Sequence, residues 1–278
     1  MIVGIVGLGL IGGSLAKAFK EAGHTVYACN RTSAVEDVAI AAGVIDEVLC
    51  DKNIGKCEFI HLSLYPDASI KWLEDNAHLI GKETVVLDEC GTKRKICASC
   101  FEIADRYGFT FVGGHPMAGT HFSGFRYSRA TMFSNATMIL VPKDQRDFLL
   151  IERITASLKP LGLKKIVTTD PENHDKMIAY TSQLAHVVSS AYIKSPSALC
   201  HKGYSAGSFR DLTRVAWLNE KMWTELFIEN GDYLAPEIDL VIENLQKYSD
   251  AIKARDCEGL ETLLREGRIA KERSESQQ

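Results

Sequence analysis

Gly7, Gly9 and Gly12 stand at the G-x-G-x-x-G spacing that suits the phosphates of a dinucleotide. They come after an apolar run, Ile2-Val3-Gly4-Ile5-Val6, and lead into a helical pattern over 14–19. In such a strand–turn–helix setting the first glycine permits a tight turn. The second lets backbone approach a pyrophosphate, and the third lets the helix pack closely on the strand. The helix N-terminus adds unpaired N–H groups and a partial positive charge. A glycine-rich turn without a ligand is the alternative, and the flanking pattern argues against it. The expected dinucleotide contacts are Gly7, Leu8, Gly9, Leu10, Ile11 and Gly12, with Asn30, Arg31, Thr32, Ser63, Leu64 and Gly91.

The second strand bears on which dinucleotide is used. NAD binders of this kind carry an acid about 20 residues past the glycines, bonded to the ribose 2′-hydroxyl. Here that place reads Asn30-Arg31-Thr32-Ser33. Asn30 bonds an oxygen without repelling it, and Arg31 can stack on adenine and pair with a 2′-phosphate. The expectation is NADP, with NAD possible if Arg31 is only a solvated cation.

A second candidate is His115 in Gly113-Gly114-His115-Pro116-Met117-Ala118-Gly119-Thr120-His121. A histidine between two glycines and a proline reads as held in a turn after a strand. Loops at the carboxyl ends of parallel strands build ligand sites, so His115 is a candidate general base. Taken alone, a structural turn histidine is the better reading.

These residues need a frame. Apolar runs at 2–6, 25–29, 47–50, 59–64, 84–87, 110–112 and 137–141 alternate with helical patterns at 12–22, 34–42, 67–79, 93–107 and 145–158. That alternation predicts a Rossmann-type, doubly wound parallel α/β sheet. At Asp170-Pro171-Glu172 the pattern becomes a helix start. From there the chain reads as all-α, with a long apolar helix over 173–194. The division expected is a dinucleotide-binding domain over 1–168 and a helical substrate and dimerisation domain over 169–278. The helical half carries more apolar residues than it can bury alone, which predicts a homodimer through the C-terminal helices.

The 278 residues are 46% hydrophobic and 24% charged, with net charge −4, which gives no reason to expect nucleic acid or an anionic membrane as partner. No run approaches a membrane span. The first strand starts at residue 2, and the expectation is a cytoplasmic protein without a signal peptide. Of eight cysteines only Cys97 and Cys100 form a C-x-x-C pair. No further pair has zinc-site spacing, so no metal is expected, and two buried thiols are the simpler reading.

Several segments together resemble the prephenate and arogenate dehydrogenase family. His115-Pro116-Met117-Ala118-Gly119 with Ser123-Gly124 is similar to its signature. Asp88-Glu89-Cys90-Gly91-Thr92-Lys93 resembles its Asp-x-x-Ser-x-Lys segment. His174-Asp175 and Ser182-Gln183-Leu184-Ala185-His186 resemble its His-Asp and Ser-His-Leu-Pro-His helix. Gly207-Ser208-Phe209-Arg210-Asp211-Leu212-Thr213-Arg214 is similar to its arginine-bearing segment, and Met222-Trp223 matches the Met-Trp pair beyond it. The resemblance covers essentially the whole chain.

It implies oxidative decarboxylation of a cyclohexadienyl acid: prephenate to 4-hydroxyphenylpyruvate, or arogenate to tyrosine, in tyrosine biosynthesis. Prephenate is favoured because the pocket candidates are cationic and no acid stands ready for an ammonium group. His115 would be the catalytic base. His186 would bind substrate, and Arg214, with Arg210 four residues earlier, would clamp a carboxylate. Asp175 would orient one of the arginines, and its eleven-residue spacing from His186 puts both on one helix face. An interhelical ion-pair network without ligand is the alternative for Asp175, Arg210 and Arg214.

The chain departs from the family at Gly91, where the serine that bonds the catalytic histidine is missing. Thr92 beside it carries a hydroxyl. His121 stands where many relatives have glutamate and could attract an anionic substrate. Gly119 completes the substrate loop. A β-hydroxyacid dehydrogenase or imine reductase, with Lys176 as the catalytic group, is one rival reading. A non-catalytic dinucleotide sensor is another. The end at Gln278 leads to an expectation of no separate tyrosine-sensing domain.

Overall fold

Short runs of aliphatic and β-branched residues, apolar on both faces, can be buried only between two layers of helices. The computed structural model, which describes residues 1–120 and 122–276, shows that arrangement. β1 (Ile2–Val6), β2 (Thr25–Cys29), β3 (Glu47–Val48), β4 (Phe59–Leu62), β5 (Val85–Asp88), β6 (Thr110–Pro116), β7 (Thr137–Pro142) and β8 (Lys165–Thr168) form one sheet. Its order is β3-β2-β1-β4-β5-β6-β7-β8. α1 (Leu10–Glu21) and α5 (Phe148–Ser157) pack on one face, where Val3, Ile5 and Leu87 meet Leu15, Phe19 and Ile154. α3 (Pro66–Asn76) and α4 (Arg94–Tyr107) cover the other, where Val6, Ile60 and Val86 meet Leu73, Ile96 and Ile103. Cys97 and Cys100 are free, buried thiols of that second layer. α2 (Ser33–Ala41) comes after β2.

β1 pairs parallel with both β2 and β4, so the strand order reverses direction there. The crevice at the carboxyl ends of these strands is where such sheets bind ligands. The sequence predicts parallel strands throughout; β7 instead runs antiparallel to β6, with His115 opposite Ile139. Among its described residues the connection between them carries two short 3₁₀ turns, Phe125–Tyr127 and Ala130–Phe133, and no crossover helix, and the chain comes back alongside β6 in the opposite sense. β8 then pairs parallel with β7 after α5. Sequence reasoning misses β8 because it is a half-exposed edge strand that begins on Lys165.

The helical half begins with α6 (Pro171–Ile178), where the Asp170 side chain accepts the Asn173 N–H at 2.8 Å. A five-residue π turn, Ala179–Gln183, separates it from α7 (Leu184–Tyr192). The continuous helix expected over 173–194 is therefore broken in register. α8 (Gly207–Thr213), α9 (Glu220–Glu229), α10 (Gly231–Ala254) and α11 (Cys257–Ser276) complete the chain. α10 buries only Leu234, and α11 buries nothing. Among the described residues no helix is long and apolar enough to cross a membrane.

Candidate active site

The glycine loop is shaped by close approaches that only glycine allows. Gly7 has φ +96°, and a Cβ there would lie 2.7 Å from the Ser63 carbonyl oxygen. A Cβ on Gly12 would lie 1.9 Å from the Gly7 carbonyl oxygen. A Cβ on Gly9 would meet nothing within 4 Å, so open space lies where a ligand phosphate would sit. Gly9 caps α1, no side chain bonds the helix N-terminus, and the first turn holds no acid. Leu10 and Ile11 form that first turn, half-buried. Beside the loop, the buried Ser63 hydroxyl has no partner, and Leu64 packs under Gly7. A cradle with unpaired N–H groups and an unpaired hydroxyl fits a dinucleotide.

Asn30 has a different task from the one its sequence position suggests. Its Oδ1 accepts the Leu8 N–H at 3.0 Å and its Nδ2 donates to the Thr32 carbonyl at 3.2 Å. The side chain therefore ties the glycine loop to the end of β2. Arg31, Thr32 and Ser33 are exposed, and the Thr32 hydroxyl does not cap α2.

His115 lies within β6 rather than in a turn after it, since the strand runs on to Pro116. Its backbone is held by a buried pair. Asp88, at the end of β5, accepts the Gly114 N–H at 3.1 Å and the Cys90 N–H at 2.8 Å, and takes an ion pair from the Lys93 ammonium. Gly113 leaves room for the Cys97 sulfur and the Lys93 stem. On the side chain, Nδ1 of His115 is 2.9 Å from Nε2 of His174, and Nδ1 of His174 is 2.7 Å from Oδ1 of Asp175. Nε2 of His115 has no partner among the described residues and is not one of the buried unpaired atoms. Burial pushes the His115 imidazole well below the ordinary histidine pKa, and His174 and the Lys93 ammonium push the same way. His115 is thus a neutral base near pH 7 with one free nitrogen.

Asp175 does not meet either arginine expected of it. It is 2% exposed, and it accepts the Lys93 N–H at 2.7 Å, the Arg94 N–H at 3.0 Å and the Arg94 Nε–H at 3.3 Å. With the His174 ring as a further donor, both of its carboxylate oxygens are engaged by protein groups. Arg94 continues to Asp232 and Asn230, and the Asn230 amide bonds the Asp175 carbonyl and the Gln183 side chain. These contacts fasten α6, the π turn and α10 to the start of α4.

Thr92 is also committed elsewhere. It is 3% exposed and its hydroxyl donates to Glu229 at 2.8 Å. At Gly91 a Cβ would sit 3.3 Å from Leu226, so α9 lines the place of the missing serine. His186 donates from Nδ1 to the Ser182 carbonyl at 2.8 Å and stacks on Trp223 with ring centroids 4.0 Å apart. Burial lowers its pKa, the Ser182 carbonyl opposes this, and nearby Arg214 lowers it further. Asp175 and His186 therefore face different surroundings, with the π turn between them. Arg210 lies on α8 and Arg214 caps its end; both are exposed, without an ion pair among the described residues. Gly119 sits in the open loop after β6, and His121 lies outside the described residues. Lys176 is exposed on α6, whereas His174 and Asp175 are buried, which removes the support for a lysine-based dehydrogenase.

Sequence reasoning takes His174 only as part of a motif and misses its bond to His115. It also misses Arg94, Asn230 and Glu229 as the links between the two halves. Their signal is slight: adjacent helix residues such as His174 and Asp175 do not ordinarily face each other.

A crevice of this kind, with a base at the same edge of the sheet, defines a dehydrogenase working with a nicotinamide dinucleotide. Comparison with known proteins gives the family. The prephenate dehydrogenase nucleotide-binding domain matches residues 15–167 and the prephenate dehydrogenase dimerization domain matches residues 170–266. The chain belongs to the prephenate dehydrogenase family. A prephenate dehydrogenase of Lactococcus lactis is 31% identical, over 95% of this chain and 75% of its own length. The crystal structure of prephenate dehydrogenase from A. aeolicus in complex with hydroxyphenyl propionate and NAD+ superposes with a TM-score of 0.82 at 25% identity. That match covers 98% of each chain. The Synechocystis arogenate dehydrogenase structure matches with a TM-score of 0.79 at 26% identity, over 99% of this chain and 100% of its own.

Proposed function

We propose that this protein oxidises prephenate to 4-hydroxyphenylpyruvate with loss of carbon dioxide. The observation that carries the reading is the unpaired Nε2 of a neutral His115 at the dinucleotide edge of the sheet. A bound nicotinamide dinucleotide would supply the hydride acceptor; the glycine loop, Ser63 and the N-terminus of α1 would hold it. The chain's own work is at the ring hydroxyl. Nε2 of His115 takes the hydroxyl proton as the C4–O bond becomes a carbonyl. The bond from C1 to its carboxylate then breaks, its electron pair passes through the ring to oxygen, and the ring becomes aromatic. The oxygen recovers a proton from His115. His186, Arg214 and Arg210 are proposed to receive the carboxylates, on the strength of the exposed Arg214 charge near the His186 ring and of exposed Arg210 one helical turn before it.

NADP is the proposed dinucleotide. The support is that Arg31, Thr32 and Ser33 are exposed, whereas the nearest acid, Glu36, already accepts the Asn30 N–H at 2.6 Å. Two copies are proposed to pair through α10 and α11, on which Leu240, Ile242, Leu245, Ile252 and Leu264 are exposed. Arogenate is a second reading, favoured by the similarity to the arogenate dehydrogenase structure.

The test is reduced-nicotinamide absorbance with prephenate or arogenate crossed against NADP⁺ or NAD⁺. The expected ranking puts prephenate with NADP⁺ first. Turnover with arogenate alone would reverse the substrate, a higher kcat/KM with NAD⁺ would reverse the cofactor, and silence in every pairing would reject the activity.

A further inference from the structure

Asp175, His174 and His115 form one line of hydrogen bonds that ends at the cleft, and the hydrogens on that line can be placed. An ionised carboxylate only accepts. Burial works against the Asp175 charge, but the His174 ring and the Arg94 and Lys93 amides outweigh it and hold the carboxyl below its usual pKa. The hydrogen in the 2.7 Å contact therefore sits on Nδ1 of His174. Burial also keeps His174 neutral, against the pull of Asp175, so its Nε2 carries a lone pair. The 2.9 Å contact then needs a hydrogen on Nδ1 of His115, which leaves Nε2 of His115 unprotonated.

We propose that His174, backed by Asp175, is the positioning residue of the base: it fixes the tautomer and ring orientation of His115 and shares the charge when Nε2 takes up a proton. The inference rests on His115 being the base. The proton stays on His115; the positive ring keeps donating from Nδ1 to His174, and the Asp175 charge stabilises it at one remove. Among the described residues no hydroxyl bonds the His115 ring. Position 91 has no side chain, and the Thr92 hydroxyl is bonded to Glu229. The charged and titratable groups facing the pair are Asp175 on α6, Lys93 before α4 and Asp88 on β5. The same logic, a carboxylate fixing a histidine's tautomer, operates in hydrolytic triads, with a second imidazole interposed here.

The test uses the full chain with ¹⁵N-labelled histidine, the His115 signals being assigned by their loss in His115→Asn. The expected spectrum shows His115 protonated at Nδ1 and bare at Nε2. In His174→Leu the Nε2–H tautomer appears and kcat falls about 10- to 100-fold, below the cost of losing the base itself, with substrate KM nearly unchanged. His174→Gln, whose side-chain carbonyl can accept the Nδ1–H, recovers part of kcat. A wild-type His115 protonated at Nε2 overturns the proposal, and that spectrum is decisive even if His174→Leu does not fold. Wild-type kcat in His174→Leu also overturns it, as does a loss shared by KM and not rescued by Gln. Normal turnover in His115→Asn would instead reject the base assignment.

Discussion

His115 owes its position and its single open nitrogen to its neighbours: Asp88 and Lys93 hold its strand, and His174 occupies the other nitrogen. The histidine was legible through the family resemblance that His115-Pro116-Met117-Ala118-Gly119 carries, although the sequence suggests a turn where the structure has strand β6. Its support was not legible, since it comes from residues distant in the chain whose types alone suggest ordinary ion pairs. Thr92 and Asp175 show the same limit. Each carries a suitable group, but burial gave that group a structural partner. Arg214 is the contrary case, exposed near His186 and without an ion pair among the described residues. Arg214→Ala should therefore raise KM for the substrate with a smaller change in kcat, because a ground-state contact is lost. Steady-state kinetics with each ligand varied in turn checks this, and an effect confined to the cofactor KM would place Arg214 elsewhere.

At the scale of elements, the glycine loop was readable because backbone demands leave a direct trace in glycine spacing. Gly12→Ala should destabilise the chain by about 1–3 kcal/mol, the usual cost of overpacking. Dinucleotide affinity should fall with it, because the new Cβ would lie 1.9 Å from the Gly7 carbonyl oxygen. Denaturant unfolding and a fluorescence titration with NADPH measure the two effects; unchanged values in both would contradict the close packing of α1 on β1. Most strands and helices were legible in apolar periodicity. The direction of β7 was not, because no pattern in 117–136 says whether the chain crosses over or turns back. The π turn at Ala179–Gln183 was equally hidden. It adds no breaker residue to the sequence, yet it sets His186 toward Trp223 while Asp175 faces Lys93.

For the whole molecule, two halves are joined by Arg94, Asn230 and the Thr92–Glu229 bond, so the helical half and the base share one frame. The long helices beyond that junction leave Leu240, Ile242, Leu245, Ile252 and Leu264 more than half exposed. A single chain rarely leaves so much apolar surface uncovered. Sedimentation should give twice the mass of one chain, and Leu245→Glu with Ile252→Glu should shift it toward the single chain. A monomeric wild type would contradict pairing through these helices.

The most direct test of the central claim is kcat with prephenate for His115→Asn against wild type. Loss of the base at the free Nε2 should cut kcat by about 10²-fold or more while unfolding and dinucleotide binding stay as they were. Near-normal turnover in a folded His115→Asn protein would take His115 out of the chemistry.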